Sequence, residues 1–473
     1  MPVIGLHSIA GAPLLLIGLG LLLLAGPRTV FLITIAAAVP LSTIGWDFAI
    51  TQIGGRTLDT RLLITFGVAT LIGLALLIDR PRLGRLGALL AGFVAYVVLD
   101  GLLRSDSMLT WAPPATRWFS YAGILILARA HLRETEDVRW LSGAVVAACG
   151  VLAALGILQF LVGEASFING ALRATGPGGR GPISLAFAGQ MMLILGYGLA
   201  MAYRPTRRAS VAATVLGTVA IVASATRLIT VTAWLAVTVM SAVGRRWRLV
   251  AIVAVVFASS LVIRPDLLGR FVGTIPIIDM DRAPGEPESG EGDEMAVDAS
   301  LAFRFFIWGA ILTEWQVQPL LGIGPGMTAP TVAAISPAER TAPHNDYIGI
   351  LAELGIVGLT LFLAVQLAIV TGLFRAWRCA LTPEAHHLSL AVLLTFVTFN
   401  ILGALNNPAY FFDMQVPIWA LAGSTLALAP QLSRPKGEAA EPALHAEDGI
   451  GDQGSGRPLL REGNIVNDDS RLP

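Results

Sequence analysis

Charge and cysteine are both scarce in this sequence of 473 residues. Charged residues make up only 14% of it, against 55% hydrophobic residues and a mean hydropathy of +0.71. A soluble globular domain carries about 25% charged residues, so the composition excludes that class and predicts a polytopic membrane protein. The two cysteines, Cys149 in an apolar run and Cys379 beside an arginine-rich turn, predict neither a disulfide nor a metal site.

Lysine is almost absent, since Lys436 is the only one, and the arginines therefore carry the orientation signal. Short arginine-rich loops mark the cytoplasmic side of a membrane protein. Such loops fall at alternate turns of the chain: "DRPRLGR" (79–85), "RPTRRAS" (204–210), "GRRWR" (244–248) and "RAWR" (375–378). The opposite loops, including 264–345, are therefore predicted to lie outside, on the periplasmic side of a bacterial inner (cell) membrane.

Long apolar runs recur from the N-terminus to about residue 430. A helix of roughly 17 to 25 apolar residues crosses a membrane, and this length predicts an all-α polytopic protein with about 12 to 13 transmembrane helices. The predicted spans are Ile9–Ala25, Val30–Ile50, Leu62–Ile78, Leu86–Leu103, Trp118–Ala130, Leu141–Val162, Pro182–Tyr203, Val211–Thr226, Leu228–Val243, Leu249–Ile263, Tyr347–Phe374, Leu388–Leu405 and Phe411–Ala429.

Four regions follow from these spans. Residues 1–263 form the N-terminal part of the helix bundle, 264–345 one large periplasmic loop with catalytic elements, and 346–430 the C-terminal helices. The tail, 431–473, is polar and rich in Gly, Pro and acidic residues, which predicts a disordered cytoplasmic segment. The first apolar run has no basic flank before it and is followed by further spans, so no cleavable signal is predicted.

The second part of the external loop is regular. "LAFRFFIWGAILTEWQ" (301–316) has bulky apolar residues at helical spacing, interrupted by Arg304 and Glu314, and predicts an interfacial helix on the bilayer. "PLLGIGPGM" (319–327) follows. This Gly/Pro turn either brings backbone amides close to a partner or makes a tight corner.

The stretch "HNDYIGILAELGIVG" (344–358) places three ionisable groups at the mouth of a predicted span. His344 precedes the helix, where the helix dipole favours a neutral imidazole or a bound anion. Asp346 and Glu353 fall on one face of the helix, with Glu353 two turns inside the membrane, where a carboxylate needs a polar cavity or a partner. In the alternative interpretation, His344 and Asp346 are helix caps and Glu353 pairs with an arginine.

His344 is the only histidine predicted in the external loop. Four others, His131, His386, His387 and His445, fall on the predicted cytoplasmic side, and His7 lies near the N-terminus.

Arg227 is the sole charge in an almost loopless external turn. Its guanidinium would meet an anion at the level of the lipid headgroups, and Arg304 would meet the same anion from the interfacial helix, because arginine suits bidentate phosphate binding. Snorkelling of Arg227 at a helix end is the alternative. Secondary candidates are Arg173, Arg180, Arg264 and Arg270, with solvated loop charges as their alternative.

These motifs resemble the superfamily of O-antigen ligases and Wzy-type polymerases. The resemblance rests on the many spans, the long external loop, "RFFIW" (304–308), "PLLGIGPG" (319–326) and "HN" followed by "ELGIVG". It runs from about residue 51 to 430 and is most specific over 301–362. Thr226 stands where the family has a serine before Arg227, and the "RATGPGGRGP" loop (173–182) lacks the family's asparagine.

The resemblance implies transfer of a glycan from undecaprenyl diphosphate to an acceptor hydroxyl, with no metal or other cofactor. It assigns catalysis to His344, Arg304 and Arg227. The candidates for substrate binding, Arg173, Arg180, Asp346 and Glu353, come from their positions in the sequence. The implied partners are the lipid-linked glycan donor, a glycan or lipid A-core acceptor and the membrane, with no nucleic acid.

Three functions remain open from the sequence. A ligase moves a finished O-antigen chain onto lipid A-core or a related acceptor, and a polymerase moves a growing glycan onto the next lipid-linked repeat. A transporter or flippase of the ion-coupled class would use Glu353 as its ion site. That third function leaves the structured external loop and the external histidine unexplained.

Overall fold

A computed structural model of the protein describes residues 49–53, 56–105, 107–163, 166–168, 171–174, 182–264, 299–335 and 343–432. The described residues form two short antiparallel β-hairpins and thirteen α-helices. The hairpins are β1 (Ala49–Ile53) with β2 (Arg56–Asp59) and β3 (Ser166–Ile168) with β4 (Ala171–Arg173). The helices are α1 (Thr60–Asp79), α2 (Gly84–Arg104), α3 (Met108–His131), α4 (Thr135–Leu161), α5 (Pro182–Ala202), α6 (Arg207–Ser224), α7 (Arg227–Val243), α8 (Trp247–Ile263), α9 (Ala299–Val317), α10 (Thr328–Ile335), α11 (Asp346–Arg378), α12 (Pro383–Leu402) and α13 (Phe412–Leu432), with a 3₁₀ turn at Pro408–Tyr410.

The protein is a multi-pass helical membrane protein. Six of the described helices are long and apolar enough to cross a membrane, namely α2, α4, α5, α6, α11 and α12. Shorter apolar stretches occupy Thr65–Asp79, Arg227–Val243 and Trp247–Ser260. Each predicted span from Leu62 onward coincides with a helix. The predicted span Ile9–Ala25 lies outside the described residues, as does Val30–Ile50 up to residue 48, after which Ala49 and Ile50 belong to β1.

The helices alternate in direction, and the arginine-rich turns gather at one end of the bundle. There, the ring of His131 at the end of α3 lies 2.7 Å from the carboxylate of Asp79 at the end of α1. At the same end, the Arg139 guanidinium of α4 lies 4.8 Å from the ring centroid of Tyr203, just after α5. The predicted cytoplasmic turns are therefore neighbours in space, as alternating spans require.

Aromatic side chains hold the opposite end together. The ring of Phe187 on α5 stacks on Phe399 of α12 with centroids 5.0 Å apart, and lies 5.2 Å from Phe411. Tyr121 on α3 is fully buried, and its hydroxyl donates a 2.9 Å hydrogen bond to the carbonyl of Ala409. Because a buried tyrosine hydroxyl needs a partner, this bond fixes the turn 403–411 against α3.

Helix α11 is broken at Gly355, where the backbone has φ 66° and ψ −170°. The ring centroids of Tyr347 and Phe362 lie 6.0 Å apart, whereas residues with this separation stand about 22 Å apart along a straight helix. A half-helix, 346–354, is thus folded back on a long span, 356–378. The prediction of an unbroken span over Tyr347–Phe374 is wrong here, and Glu353 lies in the last turn of the half-helix, beside the break.

The Gly/Pro segment 319–324 fills the break with its backbone. Four hydrogen bonds join the two: Ile323 N to Ala352 O (2.8 Å), Gly324 N to Glu353 O (2.9 Å), Ile356 N to Pro319 O (3.0 Å) and Val357 N to Leu320 O (3.2 Å). A broken helix inside a membrane leaves polar groups that must find partners. Of the two predictions for this turn, close approach of backbone amides to a partner is the one the structure confirms.

Two glycines make this approach possible. A Cβ on Gly355 would lie 2.2 Å from the Leu320 carbonyl oxygen, and a Cβ on Gly322 would lie 2.5 Å from the carbonyl oxygen of Ala352. Both glycines also have positive φ, 66° and 77°, which side chains disfavour. The contact between the segment and the break therefore depends on glycine at both positions.

Candidate active site

His344 lies immediately before the half-helix, at the tip that points into the bundle. Its backbone has φ 55°, a left-handed value that few residues other than glycine adopt and that is found often at functional sites. Asn345 then caps the helix, since its side-chain oxygen accepts a 3.0 Å bond from the backbone N–H of Ile348. The predicted position of His344 at a helix mouth is confirmed.

The tip is fixed to the turn 403–409 by three hydrogen bonds. The Asn345 side-chain amide donates to the carbonyl of Ala404 (2.8 Å), and the backbone N–H of Asp346 donates to that of Gly403 (2.8 Å). The Asp346 carboxylate accepts a 3.0 Å bond from the backbone N–H of Ala409. These bonds leave the backbone next to His344 little freedom to move.

Helix α9 brings Arg304 to the same turn. The Arg304 guanidinium donates a 2.6 Å hydrogen bond to the carbonyl of Leu405. One turn later, the indole N–H of Trp308 donates a 2.6 Å bond to the carbonyl of Pro343, the residue before His344. The structure thus brings the two predicted catalytic residues Arg304 and His344 together around residues 403–405.

The buried face of α9 differs at two positions from the apolar set that the helical spacing predicts, namely Leu301, Phe305, Trp308, Ile311, Leu312 and Trp315. Ile307, Trp308 and Ile311 are buried, whereas Phe305 is 39% exposed. The predicted apolar set included Phe305 and omitted Ile307. The difference arises because α9 packs against α10 and the half-helix through Val332 and Ala352, so its buried face is set by these contacts.

Arg227 begins α7 after a turn of two residues, which confirms the nearly loopless corner. Ala225 in this turn has φ 49°, and its carbonyl accepts a 2.9 Å bond from Arg173. Arg264 donates a 3.2 Å bond to the carbonyl of Val222 at the end of α6. Three arginines, Arg173, Arg227 and Arg264, therefore meet at one corner, which we call the α6–α7 corner.

Arg173 is only 7% exposed, so the alternative that it is a solvated loop charge is wrong. It lies at the α6–α7 corner although its loop lacks the family's asparagine. Arg180 and Arg270, also predicted as candidates, lie outside the described residues.

Glu353 holds the start of α10. Its carboxylate accepts hydrogen bonds from the backbone N–H groups of Gly326 and Thr328 and from the Thr328 hydroxyl. Charge-assisted bonds of this kind are stronger than bonds between neutral groups. Within the described part of the chain, no arginine forms an ion pair with Glu353, and the predicted pairing is wrong. The carboxylate instead caps a short helix.

Helix α2 contacts both the segment 319–324 and the break in α11, through residues that the sequence analysis did not identify. Asp100 and Arg104 form an ion pair with 3.2 Å between Oδ1 and Nη1, and Arg104 also donates to the carbonyl of Gly322. The Tyr96 hydroxyl donates a 2.9 Å bond to the carbonyl of Leu354, beside the break. The only sequence signal was a charged pair, i and i+4, at the end of an apolar run.

Arg117 and Tyr410 form a second unforeseen pair. The Arg117 guanidinium lies 4.3 Å from the ring centroid of Tyr410, and the side chain of Thr328 lies near the Tyr410 hydroxyl. Burial of this hydroxyl raises the pKa of Tyr410 above its usual value, and the carboxylates of Glu353 and Asp346 raise it further, against the lowering effect of Arg117. The tyrosine therefore stays protonated. Starting the predicted span at Trp118 left Arg117 outside it, whereas α3 begins at Met108.

A cavity of about 30 Å³ lies beneath Asp346, between α3, α11, α12 and α13. Its walls include the aromatic side chains of Trp118, Phe362 and Trp419, with Gln366. It has room for about two water molecules and none for a sugar ring. No cluster of three metal-ligating side chains occurs among the residues described.

Comparison with known families finds a match, and it covers a segment that contains several of these residues. The family model of the O-antigen ligase matches residues 212–363. In this segment the protein resembles O-antigen ligases. The segment contains Arg227, Arg304, His344 and Glu353, so it spans the α6–α7 corner, the α9 helix and the half-helix. The resemblance predicted from the sequence is confirmed here, and no curated protein matches the chain.

The segment similar to O-antigen ligases covers about a third of the chain. Its match ends at residue 363, shortly after the break in α11. The turn 403–411, which anchors the half-helix, and Arg117, on α3, both lie outside the matched residues.

Proposed function

We propose that this protein is a membrane glycosyltransferase that moves a glycan from undecaprenyl diphosphate to an acceptor hydroxyl on the periplasmic face. The acceptor is lipid A-core or a similar glycolipid. The observation that carries the proposal is the meeting of His344 and Arg304 around one turn, within the segment similar to O-antigen ligases.

In this mechanism, His344 takes the proton from the attacking hydroxyl, a step worth about 10²- to 10⁴-fold in rate. The hydroxyl oxygen forms a bond to the anomeric carbon, and the bond from that carbon to the diphosphate oxygen breaks. Direct displacement inverts the anomeric centre. The diphosphate leaves with the lipid, and the imidazolium later returns its proton to solvent.

Arg304 and Arg227 stabilise the negative charge that develops on the leaving diphosphate, as fixed donors do in other transferases. Arg173, at the α6–α7 corner, and Arg180, in the preceding loop, contact the donor. Asp346 and Glu353 serve the substrate site through position: Asp346 fixes the tip that carries His344, and Glu353 fixes the segment packed against it.

The test is replacement of His344 by Ala in the native host, with the membrane level of the protein checked and the lipid-linked glycans sized. Full-length chains held on the lipid are expected for a ligase, whereas single repeats indicate a polymerase. His387→Ala at the opposite end of the bundle is the matched control, and we expect it to leave the profile unchanged. A normal profile with His344→Ala contradicts the proposed mechanism.

A further inference from the structure

Arg117 lies on α3 beside the turn 403–411. It is the tenth residue of α3, about 14 Å along the helix from its first residue, and it is half-buried. Among the described residues, its guanidinium makes no hydrogen bond and no ion pair, and its one direct contact is the ring of Tyr410. A half-buried guanidinium whose donors are unused within the described residues is a candidate anion-binding group.

The contact with Tyr410 orients the guanidinium without using its donors. A guanidinium over an aromatic face interacts through its plane, while its five N–H groups point outward around the edge. These donors form a fork that matches a phosphate or carboxylate. Arg117 therefore presents a prepared anion-binding edge.

The two nearest carboxylates do not occupy this edge. Asp346 and Glu353 are both within electrostatic range of Arg117, yet neither forms an ion pair with it. The Asp346 carboxylate is bonded to the backbone of Ala409, and the Glu353 carboxylate is bonded to the start of α10. An anion that binds this edge therefore comes from outside the described residues.

Arg117 also adjoins the tip of the half-helix. Tyr410, its stacking partner, follows Ala409, whose backbone N–H is bonded to Asp346. Asp346 is two residues from His344. Arg117 therefore lies close to the region that already holds the proposed base.

We propose that Arg117 binds a phosphate group of a lipid-linked substrate beside His344. This inference rests on the proposed glycosyltransferase function and adds a contact to it. The phosphate belongs either to the diphosphate of the donor or to a phosphorylated acceptor, since both present the same oxygen fork. Tyr410 holds the guanidinium in place and is a positioning residue.

The variants are Arg117→Gln, which removes the charge, and Arg117→Lys, which keeps the charge and removes the fork. Arg139→Gln is the matched control, because Arg139 also lies over a tyrosine ring, at the opposite end of the bundle. Each full-length protein is purified into lipid nanodiscs, and binding of inorganic pyrophosphate and of inorganic phosphate is measured by calorimetry. Transfer rates are then measured with donor and acceptor varied in turn.

Loss of one charge-assisted contact lowers affinity by about ten- to a hundredfold. We expect this loss for pyrophosphate with Arg117→Gln, a smaller loss with Arg117→Lys, and none with Arg139→Gln. A matching rise in KM for the donor assigns Arg117 to the diphosphate, whereas weaker phosphate binding with a rise in KM for the acceptor assigns it to the acceptor phosphate.

Unchanged anion binding and unchanged KM values in Arg117→Gln overturn the inference. The transfer rate of the wild-type protein distinguishes this result from failure of the proposed function. If the wild type transfers glycan, only the inference about Arg117 fails. If Arg117→Gln does not accumulate, Tyr410→Leu provides the second variant. This variant keeps the charge of Arg117 and removes the ring on which the guanidinium stacks. We expect it to bind pyrophosphate more weakly than the wild type does, as Arg117→Gln does. Normal pyrophosphate binding by Tyr410→Leu overturns the inference.

Discussion

At the scale of single residues, the side chains near the tip mostly bond to backbone groups. Asn345 is hydrogen bonded to the backbone of Ile348 and Ala404, and Arg304 to the carbonyl of Leu405. Glu353 is hydrogen bonded to Thr328 at the start of α10. Buried backbone groups without partners are costly, so these side chains determine where the loops run. Their effect on catalysis is expected to act through the position of His344.

Asn345 offers a direct test, since it both caps the half-helix and donates to Ala404. Asn345→Ala removes both bonds, and we expect a loss of about 1–2 kcal/mol in stability with a lower transfer rate. Asn345→Asp keeps the cap but loses the donor to Ala404, so it should rescue stability only in part. The thermal unfolding midpoint in detergent and the transfer rate are the measurements, and a full rescue by Asp would contradict the role of the second bond.

Substitutions of Glu353 distinguish a structural role of its carboxylate from a role as an ion-coupled site. Glu353→Ala leaves the donors of Gly326 and Thr328 without an acceptor, and we expect a loss of at least about 2 kcal/mol. Glu353→Gln keeps one acceptor oxygen and should retain most of the stability and activity. Glu314→Gln on the exposed face of α9 is the control for the loss of a charge.

Protease sensitivity of the segment 319–335 and the transfer rate report the outcome. An activity that survives in Glu353→Ala but fails in Glu353→Gln is not compatible with a capping role. Loss of function in both variants, with normal stability in both, would favour an ion-coupled site over the capping role.

At the scale of elements, the break in α11 is the feature that places the tip. Without it, Asp346 would continue the long span outward, and Tyr347 would stand about four helical turns above the ring of Phe362. The fold-back of the half-helix brings its N-terminus to the turn 403–409. The proposed catalytic geometry therefore depends on a backbone irregularity more than on any one side chain.

Gly355 tests this dependence. Alanine there would require φ 66° with ψ −170° and would bring its Cβ to 2.2 Å from the Leu320 carbonyl oxygen. We expect Gly355→Ala to destabilise the protein by more than about 2 kcal/mol and to abolish transfer. Gly322→Ala should give the same phenotype, since its Cβ meets the other side of the contact.

Gly143→Ala is the control, because a Cβ at this position in α4 meets nothing within 4 Å. Alanine in a helix interior is favoured over glycine by about 1 kcal/mol, so this variant should be as stable as the wild type or more stable. Unfolding midpoints of the three variants decide the matter. Normal stability in Gly355→Ala would mean that the break is dispensable.

At the scale of the whole molecule, the sequence predicted the helices and their alternation well. Apolar length and arginine placement are local properties, and each predicted span from Leu62 onward falls on a helix, although the helix over Tyr347–Phe374 is broken at Gly355. The break was not predictable in this way, because the segment that fills it lies about thirty residues upstream of Gly355. Arg117 was missed for the same reason, since its partner Tyr410 is distant in the chain.

The candidate site was predicted in part. His344 and Arg304 were found through the motifs around them, and the structure brings them together. Glu353 was found as a buried carboxylate, but its partner Thr328 was not, because hydroxyl partners leave no pattern in one sequence. Arg173 was ranked low from its loop, yet a contact with Ala225 places it at the α6–α7 corner.

The predicted orientation can be measured with the natural thiols. Cys379, in the turn after α11, is exposed, whereas Cys149 in α4 is buried. In intact cells whose outer membrane has been made permeable, a membrane-impermeant maleimide should leave the protein unlabelled. Permeabilising the inner membrane should label one site, and Cys379→Ser should remove that label. Labelling before the inner membrane is opened would reverse the orientation.

The contact between the segment 319–324 and the break in α11 is made of main-chain atoms. Such a contact constrains composition little beyond its glycines, because side chains can occupy most of its positions so long as Gly322, Gly355 and Gly324, whose φ is 106°, stay. Over evolutionary time, the segment should therefore drift freely while Gly322 and Gly355 are retained or lost together. Joint retention of Gly322 and Gly355 among related sequences would then indicate the same active-site shape, even where the neighbouring residues differ.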